Sequence, residues 1–118
     1  MATAKKRLLS ESVNGKAVQV VAVATAGTLV HTAVAGTTPG ECDEIWLWAQ
    51  NNHTANVVLT IEFGSADAKD NIIVTIPFKS GLVPVIPGLI LQNGMTVNAF
   101  ASVASVINLG GFVNTITD

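Results

Sequence analysis

Few side chains in this sequence could do chemistry, and their spacing suits it poorly. The 118 residues contain two histidines, one cysteine and eight carboxylates. A metal centre built from strands needs several histidines and a carboxylate converging on one ion. His31 and His53 lie far apart in the chain, and no His-x-His pair exists. His31 falls mid-strand, on the face it shares with Leu29 and Ala33, which reads as a hydrogen-bonded packing or subunit-interface residue. His53 sits in an Asn-Asn-His-Thr turn, where water is its default partner. Cys42, Asp43 and Glu44 are neighbours, but successive strand residues point to opposite faces, and no second cysteine or nearby histidine completes a zinc set. Cys42 also lacks a base at a recognisable position to form its thiolate. Gly110-Gly111 lacks the Lys-Ser/Thr and the helix of a phosphate-cradling loop. Asp67 and Asp70, with Asn71 nearby, offer weak calcium ligands without the twelve-residue calcium-loop pattern. The sequence therefore predicts no catalytic residue, no metal and no cofactor.

The aromatic residues carry more information. Tyrosine is absent, and two tryptophans and four phenylalanines make up the whole set. Trp46 and Trp48 share one strand face. Turned outward, that face would form a sugar-stacking platform; the reading adopted is a core or subunit-interface position. Phe100 and Phe112 lie on two successive C-terminal strands and read as core or as lining a threefold contact.

Only 12% of residues are charged and 49% are apolar, with a mean hydropathy of +0.51. Soluble domains carry about 25% charge, so apolar surface must be buried internally or covered by partners. This composition excludes a disordered chain. The net charge of −2 excludes a nucleic-acid binder working through a basic surface. Lys5, Lys6 and Arg7 concentrate half of the positive charge at the start of the chain. They read as a short basic arm, residues 1–7, able to reach an acidic partner surface. Residues 17–40 and 80–117 contain no Asp, Glu, Lys or Arg. Neutral surface of this extent favours self-association, because neutral contacts cost little desolvation. The longest apolar run, residues 82–91, is about half of a ~20-residue membrane span and holds two prolines; no membrane segment is expected. The basic start has no apolar stretch behind it, so no secretory signal is expected. The single cysteine fits folding in a reducing cytoplasm.

The elements that must position these residues are strands. Val, Ile and Thr dominate, and strong helix formers are sparse. Strands are predicted over residues 8–12, 17–25, 28–34, 44–50, 57–63, 72–78, 89–92, 96–104 and 106–117. Ile45, Leu47 and Ala49 face one way, and Trp46 and Trp48 the other. Residues 17–25 are apolar on both faces, as in a strand covered on both sides. Asn14-Gly15 and Asn93-Gly94 are tight-turn signals. Residues 64–71 read as a polar loop with one short helical turn. Gly110-Gly111 signals a bulge or a close backbone approach. Eight or nine short strands with regular turns and no convincing helix predict an all-β chain, an antiparallel jelly-roll β-sandwich, forming one domain over residues 8–118. One cysteine cannot supply the Cys–Trp–Cys marker of an immunoglobulin sandwich.

The run VIPGLILQNGMTVNAFASVASVINLGGFVNTIT resembles the closing hairpins of small tailed-phage virion proteins. The shared pattern is a Pro-Gly start, a short apolar strand, Asn-Gly, a Val/Ala/Ser strand and a Gly-Phe-Val-Asn ending. A stand-alone jelly roll of this length looks most like a head decoration (cement) protein. That resemblance implies a non-enzymatic homotrimer bound to the major capsid protein, on the capsid surface of a virion made in a bacterial cytoplasm. Lys5, Lys6 and Arg7 would then touch the capsid. His31, Trp46, Trp48, Phe100 and Phe112 would be subunit-interface residues. The alternative is a receptor- or glycan-binding module of a tail, collar or fibre, resting on the tryptophan pair and on loops 37–41 and 51–56.

Overall fold

The computed structural model describes residues 2–117. Nine strands appear in chain order: β1 (Thr3–Leu8), β2 (Val18–Val20), β3 (Thr28–Thr32), β4 (Cys42–Asn51), β5 (Val57–Phe63), β6 (Asn71–Ile76), β7 (Val83–Leu91), β8 (Thr96–Ala101) and β9 (Ile107–Thr117). One 3₁₀ turn, Ala68–Asp70, occupies the predicted polar loop, and no α-helix is present among the described residues. The strands form two antiparallel sheets packed as a sandwich. Sheet A has the order β1-β9-β4-β7, with β2 also on β9, and sheet B the order β3-β8-β5-β6.

The pairings nest. β2 pairs β9, β3 pairs β8, β4 pairs β7 and β5 pairs β6, as along one long hairpin. Pairing of β4 with β9 and of β5 with β8 wraps that hairpin into two layers.

Alternation decides which side chains fill the space between them. Ile45, Leu47 and Ala49 of β4 meet Leu59 and Ile61 of β5, Val97, Ala99 and Ala101 of β8, and Ile107, Leu109 and Val113 of β9, all fully buried. Both Asn-Gly pairs take positive φ at both residues (56° and 89°, then 61° and 66°). That is the type I′ geometry for which Asn-Gly is selected, closed by Lys16 N–H to the Val13 carbonyl and Met95 N–H to the Gln92 carbonyl.

Four expectations are corrected. Of the arm expected over residues 1–7, the described part is held in the sheet: residues 3–8 form β1, paired residue for residue with 117–112 of β9. A ladder needs only backbone groups, so this strand forms although all six of its side chains are exposed. The strand predicted over 8–12 is absent, because Leu9 turns into the core (1% exposed) and Ser10 is drawn to His31. The strand predicted over 17–25 stops at Val20. The Thr28 hydroxyl takes the next two amides, Val21 and Ala22, and Val21 and Val23 are exposed rather than covered on both sides. The strand predicted over 89–92 is longer than expected: β7 starts at Val83 and runs through the proline-rich segment as an edge strand. Its register shifts twice against β4, and Pro84 and Pro87 lie exposed on this edge, where a missing N–H costs little.

Candidate functional site

The outer face of sheet A carries the aromatic cluster. Four rungs of the unbroken β4–β9 ladder face outward: Glu44 opposite Asn114, Trp46 opposite Phe112, Trp48 opposite Gly110, and Gln50 opposite Asn108. The tryptophans therefore lie outside the core, half-buried. Ring centroids are 6.5 Å apart for Trp46–Trp48, 6.2 Å for Trp46–Phe112 and 6.1 Å for Trp48–Phe112, with interplanar angles of 20°, 14° and 28°. Three nearly equal distances describe a triangle of near-parallel rings; a linear stack would make one distance the sum of the others. Lys6 of β1 places its ammonium 4.7 Å from the Phe112 centroid, a cation–π contact. Trp46 reaches over Gly88 of β7, where a Cβ would come within 2.7 Å of the indole.

Glu44 fixes the first of these rings. Its Oε1 accepts from Trp46 Nε1 at 2.8 Å and from Asn114 Nδ2 at 3.0 Å. These two donors favour the ionised carboxylate and hold its pKa below the usual 4.5. A lowered folded pKa means the contribution is complete above the ordinary carboxyl range and is lost as pH falls through the lowered value. Tryptophan fluorescence of the native protein is therefore expected to titrate with a midpoint below 4.5, and Glu44→Gln, which keeps the acceptor oxygen, removes that transition. A midpoint above the ordinary value would contradict the assignment.

A second constellation joins residues the sequence analysis kept apart. His31 Nδ1 accepts from the Ser10 backbone N–H at 2.9 Å and lies 3.0 Å from Ser10 Oγ. His31 Nε2 lies 2.7 Å from Asp43 Oδ2, and Asp43 Oδ1 accepts from the Thr115 hydroxyl at 2.8 Å. Ser10 Oγ in turn accepts from Thr32 N–H at 2.7 Å. A serine, a histidine and an aspartate in line resemble the parts of an acyl-transfer triad. The hydrogen bonds give them a different role. The backbone N–H aimed at Nδ1 makes that atom an acceptor, so Nε2 carries the proton and donates it to Asp43. Taking a proton from Ser10 would set Nδ1–H against the Ser10 N–H. The group pins the chain that follows β1 onto β3, β4 and β9.

An open cavity of about 400 Å³ lies at one end of sheet A, lined by Cys42, Ile90, Leu91 and Met95 with Thr37 and Gln92. Burial, and then the neighbouring Asp43 and Glu44, push the Cys42 thiol above its usual pKa. It is thus held as a thiol, a poor nucleophile.

The predicted site residues are distributed as follows. Trp46, Trp48 and Phe112 share one outer face, whereas Phe100, opposite Thr60, is half-buried on the outer face of sheet B. His31 is 4% exposed and hydrogen-bonded on both ring nitrogens, as the packing reading expects. Lys5, Lys6 and Arg7 do not form one patch. Lys6 sits on the outer face, while Lys5 and Arg7 stand opposite the inward Thr115 and Val113 and point the other way. Basic side chains on an exposed edge strand also blunt sheet-to-sheet pairing. Asp70 is engaged by Lys69 and Ser65, and among the described residues no three His, Cys, Asp or Glu side chains cluster as metal ligands. Sequence reasoning missed Ser10, Thr115 and Asn114, which no local pattern marks, and weighed Asp43 only within an incomplete zinc set. Among the described residues no helix is long and apolar enough to cross a membrane. No protein-family model, no curated protein and no solved structure matches the chain.

Proposed function

We propose that this protein is a jelly-roll shell protein: a capsid decoration protein that sits as a homotrimer on the major capsid protein and stabilises the particle by contact, without catalysis. The nested pairing β2–β9, β3–β8, β4–β7 and β5–β6 supports the jelly-roll reading, since a jelly roll is a long hairpin wrapped into two sheets.

The observation that carries self-association is the apolar margin along β7. Leu82, Leu89 and Ile90 are 64%, 43% and 62% exposed there, and Met95 is 41% exposed beside the same cavity. Exposed apolar side chains spread along one edge strand support a contact surface there. A closed ring of three copies would cover that margin on every protomer at once. Many such contacts, repeated over a shell, reinforce it by avidity. In this reading the residues at the subunit contacts are neutral, nucleic acid and membrane are not partners, and the location is the capsid surface.

The protein alone is expected to sediment as a trimer at micromolar concentration. Ile90→Asp should weaken the assembly by about thirtyfold per interface, an interfacial anchor being worth about 2 kcal/mol, while leaving the circular dichroism of the protomer unchanged. A monomer for the unmutated chain would overturn the trimer. In purified particles of the producing virus, hundreds of copies per particle are expected; a few to a few tens would place the protein in a tail, collar or fibre instead.

A further inference from the structure

We propose that the outer face of sheet A binds one pyranose ring of a neutral glycan, seated on Gly110 and walled by Trp48 and Phe112. The inference does not rest on the shell reading, because it concerns a different face from the β7 margin.

The seat is a bare place in an otherwise covered sheet. A Cβ built on Gly110 would meet no heavy atom within 4 Å, although the residue faces outward in mid-strand. Trp48 stands opposite it on β4, and Phe112 follows it along β9. The far side has no strand partner either. β1 pairs β9 only over 112–117 and β2 only over 107–109, so no strand residue opposes Gly110 on that side. The notch is about one rung long, ~7 Å for two strand residues, which is the scale of a single sugar ring.

The polar groups around the notch are unengaged in the way a ligand requires. Trp46 Nε1 is satisfied by Glu44, but among the described residues Trp48 Nε1 has no acceptor. The amides of Gln50 and Asn108, which face each other on the next rung, likewise make no hydrogen bond within the described chain. An indole N–H and two carboxamides are paired donors and acceptors that suit vicinal hydroxyls, and aromatic walls suit the C–H face of a pyranose. Glu44 lies two outward rungs away, and the Lys6 ammonium at the Phe112 wall is already engaged by that ring. That argues for a neutral sugar. A second copy of the chain docked here would have to match the indole N–H and both amides or leave them buried without partners.

The test uses the full chain and glucose-, galactose- and mannose-based hexasaccharides, read by tryptophan fluorescence at millimolar sugar. At least one is expected to give a saturable change. Gly110→Val, which fills the notch, and Trp48→Ala should each weaken it about tenfold or more, while Gly110→Val keeps the parent circular dichroism. The proposal is overturned if no hexasaccharide gives a saturable change, or if Gly110→Val leaves the affinity unaltered. It is equally overturned if the same signal follows protein concentration alone, which assigns the face to a second copy, or a polyproline peptide, which assigns it to a peptide.

Discussion

Gly111→Ala is expected to destabilise the protein by about 3 kcal/mol or more, while Gly110→Val, one residue earlier in the same strand, leaves stability unchanged or raises it. The difference lies in what each added Cβ would meet. At Gly111 it would collide with the Trp46 carbonyl oxygen and fall 3.1 Å from the Leu47 Cα, both backbone atoms of the neighbouring strand. Neither can rotate away. Relief requires β4 and β9 to separate in the middle of a ten-rung ladder that runs unbroken from Cys42–Ile116 to Asn51–Ile107. That ladder joins the two long central strands of sheet A, so the disturbance reaches Leu47 and Val113 in the core. At Gly110 the Cβ enters open space, and valine has the higher strand preference, on a scale spanning about 1 kcal/mol. Urea unfolding of the two variants beside the parent decides the matter. Equal losses at both positions would show that the glycine pair acts through flexibility rather than close approach.

Asp43→Ala carries the second large effect, a loss of about 3 kcal/mol. Asp43 is 2% exposed and accepts from His31 Nε2 through one oxygen and from the Thr115 hydroxyl through the other. Alanine leaves two buried donors without acceptors, at about 1–3 kcal/mol each, partly offset by rearrangement or an admitted water. Thr115→Val removes only one donor and should cost about 1 kcal/mol. The network is also local in its consequences. His31 holds Ser10, Ser10 follows β1, and β1 contributes no buried side chain of its own. In Asp43→Ala the amides of residues 3–8 should therefore exchange hydrogen faster than those of β5 and β8. Uniform acceleration across both sheets would show that Asp43 supports the whole core and not this corner.

Where sequence and structure agree, the signal was local. β5 was legible to the residue, because Val57, Leu59, Ile61 and Phe63 alternate with Val58, Thr60 and Glu62 and both ends are marked by turn residues. The face separation on β4 was legible for the same reason: inward Ile45, Leu47 and Ala49 against outward Trp46 and Trp48. At Gly110-Gly111 two readings stood open, and the unbroken register selects close approach over a bulge. Periodicity failed where a distant partner intervened. The apolar alternation after Val20 continues to residue 25, yet the strand ends because Thr28 captures the next amides and β9 offers β2 only three residues.

The sequence by itself determined the all-β class, most strand positions, the tight turns and which residues share a face. Each follows from the two-residue period of a strand and from the φ > 0 that Asn-Gly accepts, and both are properties of neighbours in the chain. Only the tertiary structure decided that β1 seats on β9, that the tryptophan face is outward, and that Ser10, His31, Asp43 and Thr115 meet. Those partners are joined across separations of 21, 12 and 72 residues. Contacts at that range are set by how the nested hairpin wraps into two sheets, and no pattern within a strand encodes the wrapping.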